Sequence, residues 1–194
     1  LKTSQYAGAS LGPPRSHPWT DAVSSAAHRY CDFKMTPAAI RTSLEDFVPW
    51  QHYAAVEQFF ELLEWLNAPG CALESNDCEF TGPHANDATE FPAALQCSGR
   101  VMVLFRALDE NCERDRVDAL EGALHRRLGA RDETFEWGVI GTAVVPVRYV
   151  TLPRDAQLGH QLMISFWAWG NTESDVMENL ARVVGNLSHA LRRC

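Results

Sequence analysis

The sequence predicts an α+β domain in which helices pack on a mostly antiparallel sheet as a two-layer sandwich. Three observations carry that expectation. β-forming residues dominate 99–107, 135–150 and 160–169. Apolar residues recur at helical spacing over 50–66, 113–129 and 172–191. From residue 99 the order is therefore strand, helix, strand, strand, helix, which segregates helices onto one side of a sheet.

Residues 1–34 hold Gly12-Pro13-Pro14 and Ser16-His17-Pro18 among scattered Ser and Ala, with no sustained period. They are expected to form a flexible arm or leader ahead of one domain spanning 35–194. Met35 precedes Thr36-Pro37, an N-cap residue followed by proline at the first helical position, and so marks the expected start of the folded domain. Thr36 to about Phe47 reads as a short helix stopped by Pro49. Trp50 to Leu66 then carries Tyr53, Val56, Phe60, Leu63 and Leu66 on one face, a packing stripe closed by Asn67-Ala68-Pro69-Gly70.

Residues 71–97 are the least regular stretch, with turn signals at Ser75-Asn76-Asp77, Gly82-Pro83 and Asn86-Asp87. They are expected to form a long loop with one or two short strands, the first over 71–81. Gly99–Ala107 is the first clear strand. Val117, Leu120, Leu124 and Leu128 then mark a helix that ends at Gly129. In 135–150, Pro146 cannot donate to a ladder and implies an edge, a bulge or a break. Thr172-Glu173-Ser174-Asp175 resembles a capping box, and Val176, Leu180, Val183, Leu187 and Leu191 continue it as a helix almost to Cys194. This order suits a ferredoxin-like or related sandwich.

Composition narrows the function classes. A chain of 194 residues with 46% apolar and 22% charged residues can bury an ordinary core without metal or disulfide staples. Its formal net charge of −8 argues against nucleic acid as a partner, because neutralising phosphates takes a concentrated excess of Lys and Arg. The first 34 residues carry four basic and two acidic side chains, which leaves the segment from Met35 onward at −10. No apolar run is long enough to span a bilayer, so no membrane association is expected. The six cysteines are irregularly spaced, which favours reduced thiols in a cytoplasmic protein over a disulfide framework.

Three candidate sites follow from residue types. Cys71, Cys78, His84 and Cys97 are zinc-ligand types, but their wide intervals do not match the close pairs of a metal knuckle, and straight-strand parity would put Cys71 and Cys78 on opposite faces. No metal or other cofactor is expected. Cys97 with His84 or His160 and Asp87 supplies the ingredients of a thiol nucleophile, which keeps open a small thiol- or imidazole-dependent hydrolase or transferase with its site in the 71–97 loop. No nucleophile elbow, HExxH, Walker loop or dinucleotide glycine pattern occurs, and no catalytic residue is assigned. Asn186-Leu187-Ser188 matches a glycosylation sequon inside a helix and is taken as accidental.

Sorting each strand by alternation gives the third candidate. One sheet face is purely apolar, while the other mixes Arg100, Arg106, Glu136, Thr142, Arg148, Ser165, Trp167 and Trp169 with aliphatic residues. Trp and Arg are enriched at binding hot spots, so Arg100, Arg106, Arg148, Trp167 and Trp169 are the expected ligand- or partner-binding residues. The competing expectation is that helix 50–66 covers this face and the arginines snorkel to its rim. The leading functional expectation is a non-enzymatic protein that binds another protein or a small ligand and associates with itself as a homodimer.

Overall fold

A computed structural model describes residues 1–5, 15–16, 31–87, 91–130, 132, 134–149 and 157–194. In chain order the elements are β1 (Lys2–Gln5), β2 (Arg15–Ser16), α1 (Ile40–Ser43), α2 (Ala54–Asn67), β3 (Leu73–Ala85), β4 (Leu95–Phe105), α3 (Arg114–Gly129), β5 (Gly138–Tyr149), β6 (Gln157–Gly170) and α4 (Glu173–Leu191). The strands form one mixed sheet in the order β1-β5-β6-β4-β3, with β2 also pairing to β5. The β3–β4, β4–β6 and β5–β6 pairings are antiparallel, while β1 and β2 run parallel to β5. β4 and β5 therefore point the same way with β6 between them and α3 as the crossover, a split βαβ unit. The two-layer α+β sandwich is the observed architecture.

Residues 1–34, expected as a flexible arm, contribute two short strands where they are described. The turn signals at Gly12-Pro13-Pro14 and His17-Pro18 lie outside the described residues. The helix expected over 36–47 is instead a broken series: a 3-10 turn at Pro37–Ala39, α1, and a second 3-10 stretch at Glu45–Trp50 that contains Pro49. Thr36 does not cap it, because its hydroxyl donates to the Asp32 carbonyl at 2.8 Å. α2 starts later than the periodicity suggested, after an extended Tyr53. It stops where Ala68, held extended at ψ 146°, precedes Pro69.

The expected long loop over 71–97 is a correction. β3 and β4 form a long antiparallel hairpin, and the turn signals within β3 are bulges at Ser75/Asp77 and Thr81/His84 rather than chain reversals. A bulge adds one residue to one strand and so inverts the alternation beyond it. Cys71 and Cys78 consequently both pack against the same core, where straight-strand parity would have parted them.

β5 runs unbroken through Pro146. The bond from Trp169 N to Trp137 O at 3.1 Å makes odd-numbered residues of β5 the ones that exchange ladder bonds with β6. The nitrogen of Pro146 thus faces away from β6, so the missing N–H interrupts none of the β5–β6 ladder bonds.

α2, α3 and α4 all cover the same sheet face. Their stripes, Val56, Phe59, Phe60, Leu63 and Leu66 from α2, Val117, Leu120, Leu124 and Leu128 from α3, and Val176, Leu180, Val183 and Leu187 from α4, join Val101, Val103, Ile140, Ile164 and Phe166 of the sheet in one core. Phe47 is stacked between Phe59 at 5.1 Å and Phe80 at 4.8 Å. Gly99 permits the closest approach, since a Cβ there would stand 2.5 Å from the Phe166 ring and 2.9 Å from the Glu79 carbonyl. The expected capping box is present, with Thr172 Oγ1 accepting from Asp175 N at 3.2 Å and Asp175 Oδ2 accepting from Thr172 N at 3.1 Å.

A candidate binding face on the sheet

Register places the side chains that alternation alone could only pair within each strand. Residues directly opposite one another share a face. The face turned away from the helices therefore carries, in successive rows, His84, Gln96, Trp169 and Trp137; then Thr81, Ser98, Trp167, Val139 and Lys2; then Glu79, Arg100, Ser165, Gly141 and Ser4. Further along come Asp77, Met102, Met163 and Ala143, and there Met102, Ala143 and Val145 are buried.

Of the five expected binding residues, the structure brings together Arg100, Trp167 and Trp169. Arg100 is held at the β3 edge by Glu79 at 2.7 Å and Asp77 at 3.2 Å. Arg106 lies beyond the end of β4 and donates to the carbonyls of Leu66 at 3.2 Å and Ala68 at 2.9 Å, closing the C-terminus of α2. Arg148 has the opposite parity on β5, opposite Leu158, and is exposed near the far end of the strand. Thr142 also belongs to the helix-covered face. Its hydroxyl donates to Glu121 Oε1 of α3 at 2.6 Å and stands 2.6 Å from His125 Nε2. With that hydroxyl hydrogen committed to Glu121, His125 must donate from Nε2 and leave Nδ1 bare. The chain of three pins α3 to β5.

The expectation that helix 50–66 covers the mixed face is also corrected, because α2 packs on the other side against Phe166. What lies over Trp169 is Phe91, from the β3–β4 connection, stacked at 4.5 Å with an interplanar angle of 21°. Phe91 also meets Trp137 edge-on at 5.6 Å. Asn86 folds this connection back by donating to the carbonyls of Phe91 at 2.9 Å and Ala93 at 3.0 Å. Trp137, 38% exposed, forms the outer rim of the cluster. Trp137 shares the parity of Val139 and could have been chosen from the sequence. Phe91, in an aperiodic stretch beside Pro92, gave no such signal.

The thiol and imidazole candidates have ordinary structural roles. Burial pushes the Cys78 thiol up to about 12, reinforced by the Asp77 and Asp46 charges. Burial does the same to Cys97, also to about 12. Neither thiol is poised as a thiolate near neutrality. His84 Nδ1 stands 2.8 Å from the Gly82 carbonyl and its Nε2 stands 3.1 Å from Gln96 Nε2. His160 is lowered first by burial, then by the Arg114 charge. Among the described residues no group of three His, Cys, Asp or Glu side chains could hold a metal ion. Among the same residues no helix is long and apolar enough to cross a membrane.

The fold and the face define a two-layer α+β protein with helices on one side of its sheet and a tryptophan-rich patch on the other. Comparison of the chain with protein-family models, with curated proteins and with solved structures gives no match.

Proposed function

We propose that this is a non-enzymatic protein that binds a protein partner through the Trp137–Trp167–Trp169 patch, and that a second copy of the chain is such a partner. The observation that carries the reading is the Phe91–Trp169–Trp137 cluster on the sheet face away from the helices, with Trp137 at its exposed rim. Large aromatic side chains at a surface supply contact area at low entropic cost, and apolar patches of this kind mark interfaces. The patch runs across one sheet face from β6 to the start of β5, which suits a partner's surface better than a small ligand. The crevice lined by Phe47, Phe59, Phe80 and Phe166 belongs to the helix side and is filled core with no room for water.

Association by the β3 edge is disfavoured. β3 is an edge strand carrying two bulges, Pro83 and the charges of Asp77 and Glu79, the devices that keep edges from pairing. The cytoplasm is the compartment that goes with six free thiols. The hydrolase or transferase alternative loses its support with the 71–97 loop and the reactive thiol on which it rested.

The test is sedimentation equilibrium of the full chain over a wide concentration range, with tryptophan emission recorded alongside. A reversible dimer whose formation blue-shifts the emission supports the reading. A strict monomer at the highest concentration, or a dimer with unaltered tryptophan emission, overturns it.

A further inference from the structure

The sheet face carries its charge unevenly, and that unevenness bears on how a second copy seats there, an inference that rests on the reading of this face as an interface. Register puts Lys2 of β1 in the row of Trp167, and Glu79 of β3 in the adjacent row with Ser165. Trp167 and Ser165 belong to β6, the middle strand of the order β1-β5-β6-β4-β3, so the two charges stand two strands to either side of it. Four strand spacings of about 4.8 Å hold them roughly 19 Å apart, too far for the side chains to meet within one chain.

Lys2 is exposed and has no carboxylate partner among the described residues. Glu79 meets Arg100 at 2.7 Å, but that guanidinium is shared with Asp77 at 3.2 Å, and 51% of the Glu79 side chain stays open to solvent. Between the two edges, the side chains around Trp167 are small: Ser4, Gly141, Ser165 and Ser98. A second sheet can therefore approach to the usual spacing of about 10 Å.

Two copies packed face to face are related by a two-fold axis lying in the plane between their sheets. An axis across the strands lays β1 over β1 and β3 over β3, and so sets like charges together. An axis along β6 lays each β1 over the other copy's β3. Lys2 then stands over Thr81, with Glu79 one row further, about 7 Å along the strand and within reach of a four-carbon side chain. Opposite charges across an interface fix its register, and like charges exclude the alternatives. We propose that the second copy seats on this face about an axis along β6, with Lys2 of each copy paired to Glu79 of the other.

The experiment is sedimentation velocity at low salt on the parent chain, on Lys2→Glu, on Glu79→Lys, and on an equimolar mixture of the two variants. Each variant alone opposes like charges twice in its own dimer, so its dissociation constant should rise about tenfold or more. In the mixed dimer both contacts are opposite charges again, and the mixture should dimerise at concentrations where each variant alone is monomeric. That advantage should fade at about 1 M salt, where charges are screened beyond about 3 Å. Both positions are exposed, so circular dichroism should show both variants folded, and a folding defect in either could not be cured by mixing. A parent dimer with no preference for the mixed dimer overturns the placing of the axis and leaves the sheet-face reading standing. A parent that stays monomeric overturns both, and the face then belongs to a different protein.

Discussion

Replacing Trp137 by alanine tests the sheet face quantitatively. A tryptophan side chain offers up to about 250 Å² of surface, so 38% exposure leaves roughly 95 Å² available to a partner. At about 25 cal/mol per Å², complete burial of that surface is worth about 2 kcal/mol per copy. In a two-fold dimer the residue counts twice, and interfaces rarely bury a rim residue fully, so about half of the doubled value is a fair expectation. A loss of about 2 kcal/mol corresponds to a dimer dissociation constant raised roughly thirtyfold. The monomer should also lose the part of the side chain already covered, the edge contact with Phe91 included, which is roughly 155 Å² and at most about 4 kcal/mol by the same coefficient. Sedimentation equilibrium gives the dissociation constant, and urea unfolding of the dilute, monomeric protein gives the second quantity. A dissociation constant within threefold of the parent, in a variant shown to be folded, would refute the placing of the interface.

Burial is the main cause that lowers His125, partly offset by Glu121, so the folded state prefers the neutral ring. Its contribution is complete above the ordinary histidine range and is lost as pH falls from that range toward the lower folded value, because the unfolded chain takes up the proton first. His125→Gln should therefore flatten the decline in urea-unfolding stability between about pH 7 and 5; an unchanged slope would show that the ring does not titrate as the buried contact requires. For the thiols, a chromogenic disulfide reagent at neutral pH should modify exposed Cys194 in the native chain, while Cys78 and Cys97 react only after denaturant is added. Rapid native reaction of Cys78 or Cys97 would instead restore the thiol-enzyme reading.

Elements with a strong single period were legible from the sequence. α4 announced itself by a continuous stripe and its cap, α3 by its stripe and Gly129, and β4 and β6 by dense β formers. β3 was hidden because its signature is interrupted at the points where the strand is irregular. Asn76, Gly82 and Pro83 are turn formers, and in this chain they occupy bulges in an edge strand, where the missing ladder bonds cost little. β1 was hidden for a different reason. Lys2–Gln5 has almost no apolar character, and its place beside β5 depends on main-chain pairing to a strand more than 130 residues away.

The candidate face shows where local periodicity stops being informative. Alternation correctly separated Arg100 from Val101, and Trp167 from Phe166, within each strand. It could not say whether the even positions of β5 face the same way as the even positions of β4, because that phase is set by register between strands. The pairing of Ile140 with Phe166 and of Arg100 with Ser165 supplies the missing phase: even residues of β5 point to the helices, even residues of β4 away from them. Thr142 and Arg148 thereby leave the mixed face, Trp137 and Val139 join it, and a scattered set of arginines and tryptophans resolves into one aromatic patch with a single arginine beside it. An arginine already neutralised by Asp77 and Glu79 cannot be the anchor of an anionic ligand on that face. The patch is left as an apolar surface whose natural complement is another apolar surface.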